Sequence, residues 1–167
     1  MLLIAKSIGE LSYMGLSHVY AQSIKLDADR YYANFDRSEA LICAEQDLYG
    51  YLSDSFYSQD GAYCTVWEEN GEYVSILRME PIEDGFLLTA LETSPECRNK
   101  GYATRLLTET LSYAKRSGAS KIYSHVAMDH AASMRVHLAC GFEILHCYAN
   151  FLDGSRSCDS YTLMCQL

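Results

Sequence analysis

The chain has 167 residues and a formal net charge of −9 at pH 7. This length fits one domain, residues 1–167, because a chain of this size buries about 70% of its unfolded surface and can form a full core. The acidic balance argues against nucleic acid as a partner. The sequence has no apolar run of about 18 residues and no apolar segment of signal-peptide length, so we expect a cytoplasmic protein without a membrane partner.

The first third of the chain predicts mainly helices. Residues 2–5 suit a short strand, and residues 10–24 carry a weak helical pattern. A stronger helix follows Asp36, which is placed to form a capping box with Glu39, and it continues to residue 56. Its apolar face is formed by Leu41, Ala44, Leu48 and Leu52.

The next segment changes to the two-residue period of strands. Residues 62–68 and 72–79 flank the dipeptide Asn70-Gly71, which is a strong signal for a β-hairpin between alternating apolar residues. A turn rich in acidic residues and glycine then leads into residues 86–93. These patterns predict three antiparallel strands.

A helix and a further strand follow in the second half of the chain. The helix covers residues 100–117 and ends at Gly118, and the strand after it covers residues 121–127. Because a strand-helix-strand unit forms a right-handed crossover, we expect residues 86–93 and 121–127 to be parallel neighbours.

A shorter helix and two strands complete the chain. We expect Asp129 to cap a helix that runs to about residue 139, followed by strands at residues 142–149 and 159–166. The whole pattern predicts an α+β fold with α/β/α layers. Helices cover both faces of a mixed, mostly antiparallel twisted sheet of about six to seven strands, which contains one parallel β-α-β crossover.

The segment SPECRNKGYATRLL, residues 94–107, has the features of an anion site. A helix N-terminus carries about half a positive charge, so Arg98 and Lys100 each cost roughly 0.3–1 kcal/mol there unless an anion offsets them. The segment follows a parallel strand, and Gly101 lets a phosphate approach the free N–H groups of the helix. An ordinary helix start capped by Asn99 is the alternative.

Two segments resemble one enzyme family. RNKGYA matches the R/Q-x-x-G-x-G/A signature of the GNAT superfamily of acetyl-CoA-dependent N-acetyltransferases, and LETSPE precedes it at the expected distance. DHAASMRVHLACGF is similar to the later N-x-x-A-x-x-x-Y-x-x-x-G-F segment of that family. The resemblance implies a single GNAT-type N-acetyltransferase domain over residues 1–167, with the acyl-CoA N-acyltransferase fold and acetyl-CoA as cosubstrate.

The resemblance also implies which residues contact coenzyme A. The backbone of the RNKGYA segment would hold the pyrophosphate, with a hydroxyl added by Thr104, and the main chain at Leu91 and Thr93 would pair with the pantetheine arm. The later segment would add contacts from its helix. The implied cofactor-binding residues are Leu91, Thr93, Arg98, Asn99, Lys100, Gly101, Tyr102, Ala103, Thr104, His130, Ser133 and His137.

The implied reaction is direct transfer of an acetyl group to a primary amine of a small molecule or peptide. A protonated amine cannot attack, so a base must remove its proton. His125 is the first candidate, since some members of the family have a glutamate base on this strand, and the alternative is a hydrogen-bonded core histidine. Glu92 is the second candidate, and its alternative is a solvated carboxylate or a salt-bridge partner.

The residue at the position of the family's general acid differs from the family pattern. Counting back four residues from Gly141 gives His137 where the family has a tyrosine that protonates the leaving thiolate, and His130 replaces the family's asparagine. His137 is either the acid or only a coenzyme contact, with Tyr148 or solvent supplying the proton. The departure keeps a second function open, a non-catalytic acyl-CoA-binding sensor or partner-binding module.

The charge is divided unevenly along the chain. Residues 1–90 hold 5 Lys and Arg against 15 Asp and Glu, a balance of −10, whereas residues 91–167 hold 8 against 7, a balance of +1. The acidic half favours a cationic amine as acceptor, and a solvated acidic surface is the alternative. A homodimer through the last strands is left open.

The seven cysteines do not predict a disulfide framework or a metal site. Their number is odd and no C-x-x-C pair occurs, so we expect no zinc and no other metal. We expect most of them to be small core residues.

Overall fold

The computed structural model describes residues 1–167, which form nine strands and five α-helices. The strands are β1 (Leu2–Ala5), β2 (Tyr63–Glu69), β3 (Glu72–Ile82), β4 (Gly85–Thr93), β5 (Lys121–Ala127), β6 (Glu143–His146), β7 (Ala149–Asn150), β8 (Arg156–Ser157) and β9 (Ser160–Gln166). The helices are α1 (Tyr13–Val19), α2 (Ala21–Tyr31), α3 (Arg37–Tyr51), α4 (Tyr102–Arg116) and α5 (Ala131–Ala139). Short 3₁₀ turns lie at Ile8–Glu10 and Pro95–Cys97, and a π-helical turn at Leu52–Phe56 extends α3.

Seven strands form one mixed sheet in the order β1-β2-β3-β4-β5-β9-β6. Strands β1 to β4 are antiparallel neighbours, and the predicted hairpin between β2 and β3 is confirmed. Asn70 and Gly71 both have positive φ angles, 53° and 84°, which is the backbone that a two-residue turn of this kind requires. The predicted fold class, including the number of strands, is confirmed.

The parallel crossover from β4 through α4 to β5 is also confirmed, but the two strands remain paired only briefly. Their pairing covers three residues of each strand and stops at Leu88 opposite Ser124. The register of β4 against β3 shifts just beyond this point, and Ala90 has a φ of 48°. Such a bulge bends a strand and increases its twist. The end of β4 therefore leaves β5, and the sheet opens between them.

The helices cover both faces of the sheet, as predicted. On one face, α1, α2 and α3 enclose a core that contains Leu16, Ile24, Ala44 and Phe56. On the other face, α4 packs its apolar stripe, including Leu106 and Leu107, against the sheet. No helix combines the length and the apolar character that a bilayer span requires.

One predicted helix in the first third of the chain is wrong in its limits. Residues 10–24 were expected to be one helix, but Tyr20 ends α1 with φ −92° and ψ 11°, and α2 continues to Tyr31. Tyr20 is 2% exposed, so the change of direction places it in the core that the helices form with the sheet. Asp36 does cap α3, since its carboxylate accepts hydrogen bonds from the N–H groups of Ser38 and Glu39.

The predicted elements near the C-terminus also differ in their limits. Helix α5 begins after His130 rather than after Asp129, and no side chain caps it. The strand expected at residues 142–149 ends at His146, because the register against β9 shifts there. Strand β7 instead pairs with β8 in a separate two-stranded ribbon.

The cysteines are all free, and the expectation that most belong to the core is wrong. Only Cys64 and Cys165 are buried. Cys147 and Cys158 are exposed, because the chain around them forms the irregular connections beside the small ribbon rather than one long strand.

Gly85 at the start of β4 offers a test of the parallel pairing. A Cβ atom at this position would lie 2.2 Å from the main-chain oxygen of Lys121 on β5. We expect Gly85→Ala to lower the free energy of unfolding by about 1–3 kcal/mol, because the strands must separate to relieve the overlap. Urea unfolding measures this. Gly50→Ala on α3 is the matched control, since its Cβ meets nothing within 4 Å and alanine favours a helix. Equal stability of the two variants would contradict the contact.

Candidate functional site

A cleft of about 830 Å³ occupies the opening between β4 and β5, and we call it the strand cleft. Its walls come from the end of β4, the start of α4, β5 and one side of α5. All but one of the predicted site residues line it, and Lys100 is the exception. The lining residues among them are Leu91, Glu92, Thr93, Arg98, Asn99, Gly101, Tyr102, Ala103, Thr104, His125, His130, Ser133 and His137.

The start of α4 presents a series of free main-chain N–H groups. The N–H groups of residues 99–104 make no hydrogen bond within the protein, and no side chain caps the helix. Asn99 and Gly101 have φ angles of 60° and 82°, so left-handed and right-handed residues alternate before the helix begins. Backbone of this kind directs successive N–H groups toward one point and forms an anion-binding concavity. The alternative of an ordinary helix start capped by Asn99 is wrong, because Gly101 occupies the cap position.

The charged side chains beside this segment leave the N–H groups free. Arg98 is exposed, and its Nε donates a hydrogen bond of 3.1 Å to the carbonyl oxygen of Thr93. The carboxylate of Glu96 lies 2.7 Å from Nε2 of His18. No carboxylate of the chain therefore offsets the positive end of α4, which can accept an anion.

The end of β4 presents further main-chain groups that no strand pairs, although the carbonyl oxygen of Thr93 accepts the hydrogen bond from Arg98. The N–H of Ser94 bonds to the carbonyl oxygen of Val74 on β3 at 3.0 Å. Because the main-chain groups of successive strand residues point to opposite edges, those of Leu91 and Thr93 point away from β3. The edge that they face has no strand beside it, since β5 pairs with β4 only as far as Leu88.

Glu92 lies on the face of the sheet that α2 covers. Its carboxylate is partly buried and accepts a hydrogen bond of 2.5 Å from the hydroxyl of Ser23 on α2. Burial raises the pKa of Glu92, while the bond from Ser23 and the charge of Arg78 oppose the rise. The carboxylate forms no salt bridge, so the alternative of a salt-bridge partner is wrong, and its role as a base stays a prediction.

His125 lies on β5 at the opposite side of the strand cleft. The ring packs edge-on against Phe151, with 5.3 Å between ring centres, and makes no hydrogen bond within the protein. It is partly buried, and this burial lowers its pKa, so the ring is neutral at pH 7. The alternative of a hydrogen-bonded core histidine does not describe this environment.

His137 on α5 is the most enclosed of the predicted site residues, with 1% of its surface exposed. Its Nδ1 lies 2.8 Å from the carbonyl oxygen of Ser133, which can only accept, so Nδ1 carries the proton. Nε2 is therefore the unprotonated nitrogen of the neutral ring, and it is buried without a partner. Burial lowers the pKa of His137 although the Ser133 carbonyl opposes this, so the ring has no proton to donate from Nε2 at neutral pH.

A second cavity, also of about 830 Å³, adjoins the strand cleft on the side of α2 and α3. We call it the side pocket. The two cavities share Ser23, Leu26, Ala90 and Glu92. The other residues that line the side pocket are Tyr20, Asp27, Asp29, Arg30, Tyr31, Asp47, Leu48, Tyr51 and Arg78. Glu92 thus lies between the two cavities.

Neither the side pocket nor the position of Arg78 in it was predicted from the sequence. The available signal was a single charged residue in the apolar run YVSILRM of β3, where alternation places Arg78 on the same face as Ile76. The acidic half of the chain does contribute to this region, since Asp27, Asp29 and Asp47 line the pocket. No group of three or more His, Cys, Asp and Glu side chains is placed to hold a metal ion.

Solved structures have the same fold as this chain. The PaiA N-acetyltransferase of Thermoplasma acidophilum, solved in complex with coenzyme A, is 15% identical and has a TM-score of 0.68, with 100% of this chain and 99% of that chain covered. The ribosomal-protein-alanine N-acetyltransferase of Brucella melitensis is 18% identical with a TM-score of 0.64, and 99% of each chain is covered. A GNAT family acetyltransferase of Elizabethkingia anophelis with acetyl-CoA bound is 16% identical with a TM-score of 0.58, covering 68% of this chain and 80% of that chain.

The sequence itself matches a family model. A comparison with curated proteins found no match. The model of the Acetyltransferase (GNAT) family matches residues 24–142, which is more than half of the chain and includes the strand cleft from β4 to α5. The chain therefore belongs to the Acetyltransferase (GNAT) family.

Proposed function

We propose that this protein is an N-acetyltransferase that moves an acetyl group from acetyl-CoA directly to a primary amine of a small molecule or peptide. Its family consists of acetyltransferases, and enzymes of this family use acetyl-CoA. One observation carries the proposal: the free N–H groups at the start of α4 and the free edge of β4 open onto the same cleft as Glu92. We propose that the single domain of residues 1–167 supplies both the cofactor site and the acceptor site.

The residues of the strand cleft fit coenzyme A. The N–H groups of residues 99–104 would hold the pyrophosphate, with Arg98 and Lys100 adding positive charge nearby. The edge of β4 at Leu91 and Thr93 would pair with the amide groups of the pantetheine arm in the manner of an added strand. Bound acetyl-CoA supplies the acetyl thioester. The same N–H groups of β4 can support negative charge on the thioester oxygen.

Glu92 is the base that we favour over His125. It lies between the two cavities, where an amine in the side pocket meets the strand cleft. Burial moves the pKa of Glu92 toward the working pH but moves that of His125 away from it. Glu92 takes one proton from the ammonium group, and the neutral nitrogen then bonds to the acetyl carbon as the C–S bond breaks. The second nitrogen proton passes to solvent, and the sulfur takes a proton from solvent.

His137 contacts the cofactor in this proposal and does not act as the acid. Its Nε2 is an unpaired acceptor in the wall of the strand cleft, so it suits a hydrogen-bond donor of the ligand. Tyr148 is not among the cleft residues. Its ring stacks on His146, and Arg156 lies over it at 3.7 Å from the ring centre. Solvent therefore supplies the proton to the sulfur.

The acceptor that we propose approaches as a cationic amine. Three aspartates line the side pocket, and amines are protonated in water, so the pocket attracts them before deprotonation. One similar structure is named as an enzyme that acetylates a ribosomal-protein alanine, so peptide N-termini belong among the candidates with small amines.

A second candidate function is an acyl-CoA-binding module without catalysis. The observation that favours it is His137, which replaces the family's tyrosine and whose neutral ring keeps its proton on Nδ1, where it is donated to the Ser133 carbonyl oxygen. Both functions require cofactor binding, and only the enzyme requires a base beside the cofactor.

The two functions are distinguished by an acceptor screen. Purified protein with acetyl-CoA is offered a panel of polyamines, aminoglycosides, amino acids and short peptides, and release of free thiol is recorded. We expect release above the rate without amine for at least one class. Isothermal titration with acetyl-CoA runs in parallel. Binding without thiol release from any member favours the module, and absence of binding contradicts both functions.

A further inference from the structure

Arg78 has an unusual environment for a cation inside a protein. Its guanidinium lies over the ring of Tyr51 at 5.0 Å and that of Phe56 at 5.9 Å from the ring centres. It takes part in none of the four salt bridges, and its Nε is buried without a hydrogen-bond partner. Glu80 and Glu92 lie on the same face of the sheet, yet neither carboxylate comes within 4.0 Å of it.

The guanidinium of Arg78 needs a hydrogen-bond acceptor. Arginine cannot lose its proton, and a buried N–H without a partner is costly. The aromatic rings contact the face of the guanidinium and leave its Nε–H without an acceptor. The nearby Glu80 carboxylate instead accepts a hydrogen bond of 2.8 Å from Thr89. Because Arg78 lines the side pocket, a ligand there can supply the missing acceptor.

Tyr20 provides an independent observation in the same pocket. It is 2% exposed, lines the side pocket, and its hydroxyl is buried without a partner. Burial raises the pKa of this hydroxyl far above its ordinary value, although the charge of Arg78 opposes the rise, so it stays protonated. Tyr20 and Arg78 thus each have a hydrogen-bond donor without an acceptor, and both residues line the same cavity. Carboxylate oxygens accept hydrogen bonds from hydroxyl and guanidinium groups.

Glu92 is a near neighbour of Arg78 on the sheet. Ile76 pairs with Glu92, and Arg78 lies two residues further along β3 on the same face. The two groups carry opposite charges, both line the side pocket, and they form no salt bridge with each other. This arrangement matches a molecule that carries an ammonium group and a carboxylate on the same carbon atom.

We propose that the acceptor is a free amino acid, whose carboxylate is bound by Arg78 and Tyr20 in the side pocket while its amine is presented to Glu92. The inference rests on the proposed acetyl transfer and names its substrate class. A doubly charged phosphate is disfavoured because Asp27, Asp29 and Asp47 line the same pocket, whereas the ammonium group of an amino acid offsets the single charge of its own carboxylate.

The test compares each amino acid with its carboxamide and its decarboxylated amine. The panel contains the twenty standard amino acids, and thiol release gives kcat/KM while calorimetry in the presence of coenzyme A gives the affinity. We expect the wild-type protein to prefer the carboxylate form of its substrate by at least about 30-fold, the lower range for a desolvated charge pair. We expect Arg78→Gln to abolish this preference and Arg78→Lys to restore part of it.

Arg116→Gln is the matched control, since it removes the same charge from an exposed position at the far end of α4. We expect it to keep the full preference, and circular dichroism checks that Arg78→Gln is folded. Equal kcat/KM for carboxylate and carboxamide overturns the inference, and so does a panel in which neither turnover nor affinity depends on the carboxylate. Carboxylate-dependent affinity without thiol release supports the inference and counts against the proposed function.

Discussion

Replacing Gly101 with glutamate is expected to weaken the binding of coenzyme A by at least about 100-fold, because like charges brought together in a binding site cost several kcal/mol. Gly101 precedes α4 in the series of free N–H groups, and a Cβ atom there meets nothing within 4 Å. The new side chain therefore fits sterically, but its carboxylate pairs with the N–H groups and repels a diphosphate. Isothermal titration of the variant with coenzyme A measures the loss.

Gly118→Glu is the matched control for this experiment. Gly118 follows the other end of α4, has a φ of 91° against 82° at Gly101, and also leaves open space for a Cβ atom. Both variants carry the same backbone strain and the same added charge, and only Gly101 faces the strand cleft. We expect Gly118→Glu to bind coenzyme A like the wild type. An unchanged affinity in Gly101→Glu, or an equal loss in both variants, would count against the proposed cofactor site.

Replacing Glu92 with glutamine is expected to lower kcat by about 100-fold or more, which is the range for loss of a general base. Glutamine has the shape of glutamate and can still accept the hydrogen bond from Ser23, so the fold and the affinity for acetyl-CoA should change little. Steady-state thiol release at saturating amine measures kcat. Glu109→Gln, an exposed change of the same kind on α4, should have no effect.

The pH dependence of kcat tests whether Glu92 is the base. Glu92 acts as the carboxylate, so the rate should be full above its pKa and should fall as pH falls through it. Because burial raises this pKa, the fall occurs at higher pH than for an ordinary glutamate. Glu92→Gln should lose this acid limb. An unchanged acid limb in Glu92→Gln, together with a large loss of kcat in His125→Gln, would assign the base to His125 instead.

Local patterns were sufficient to predict most of the fold. The Asn70-Gly71 turn, the acidic cap at Asp36 and the glycine after α4 are signals that depend on a few neighbouring residues, and each predicts its element correctly. The predicted ends of helices and strands were wrong where tertiary packing determines them. Tyr20 divides one helical pattern where it enters the core, and no local signal marks that event.

The two parts of the candidate site differ in how far the sequence could define them. The free N–H groups of residues 99–104 belong to one continuous segment, so their spacing and the glycine are visible in the printed sequence. The side pocket combines Tyr20, Arg78 and Glu92 from three distant parts of the chain. Arg78 alone in an apolar strand was a signal that a charge is buried, but it did not indicate what the charge faces.

The sequence by itself determined the order of most helices and strands, the parallel crossover and the free N–H groups at the start of α4, since these depend on local periodicity and on backbone freedom at Gly101. Only the tertiary structure decided the chemistry of the individual side chains. It directed the Nδ1 proton of His137 toward Ser133, partly buried Glu92 and left Arg78 without a salt bridge. The reason is that the protonation and the hydrogen bonding of a side chain depend on its burial and on its neighbours in space. Folding brings these neighbours together from distant parts of the chain, so the sequence alone does not identify them.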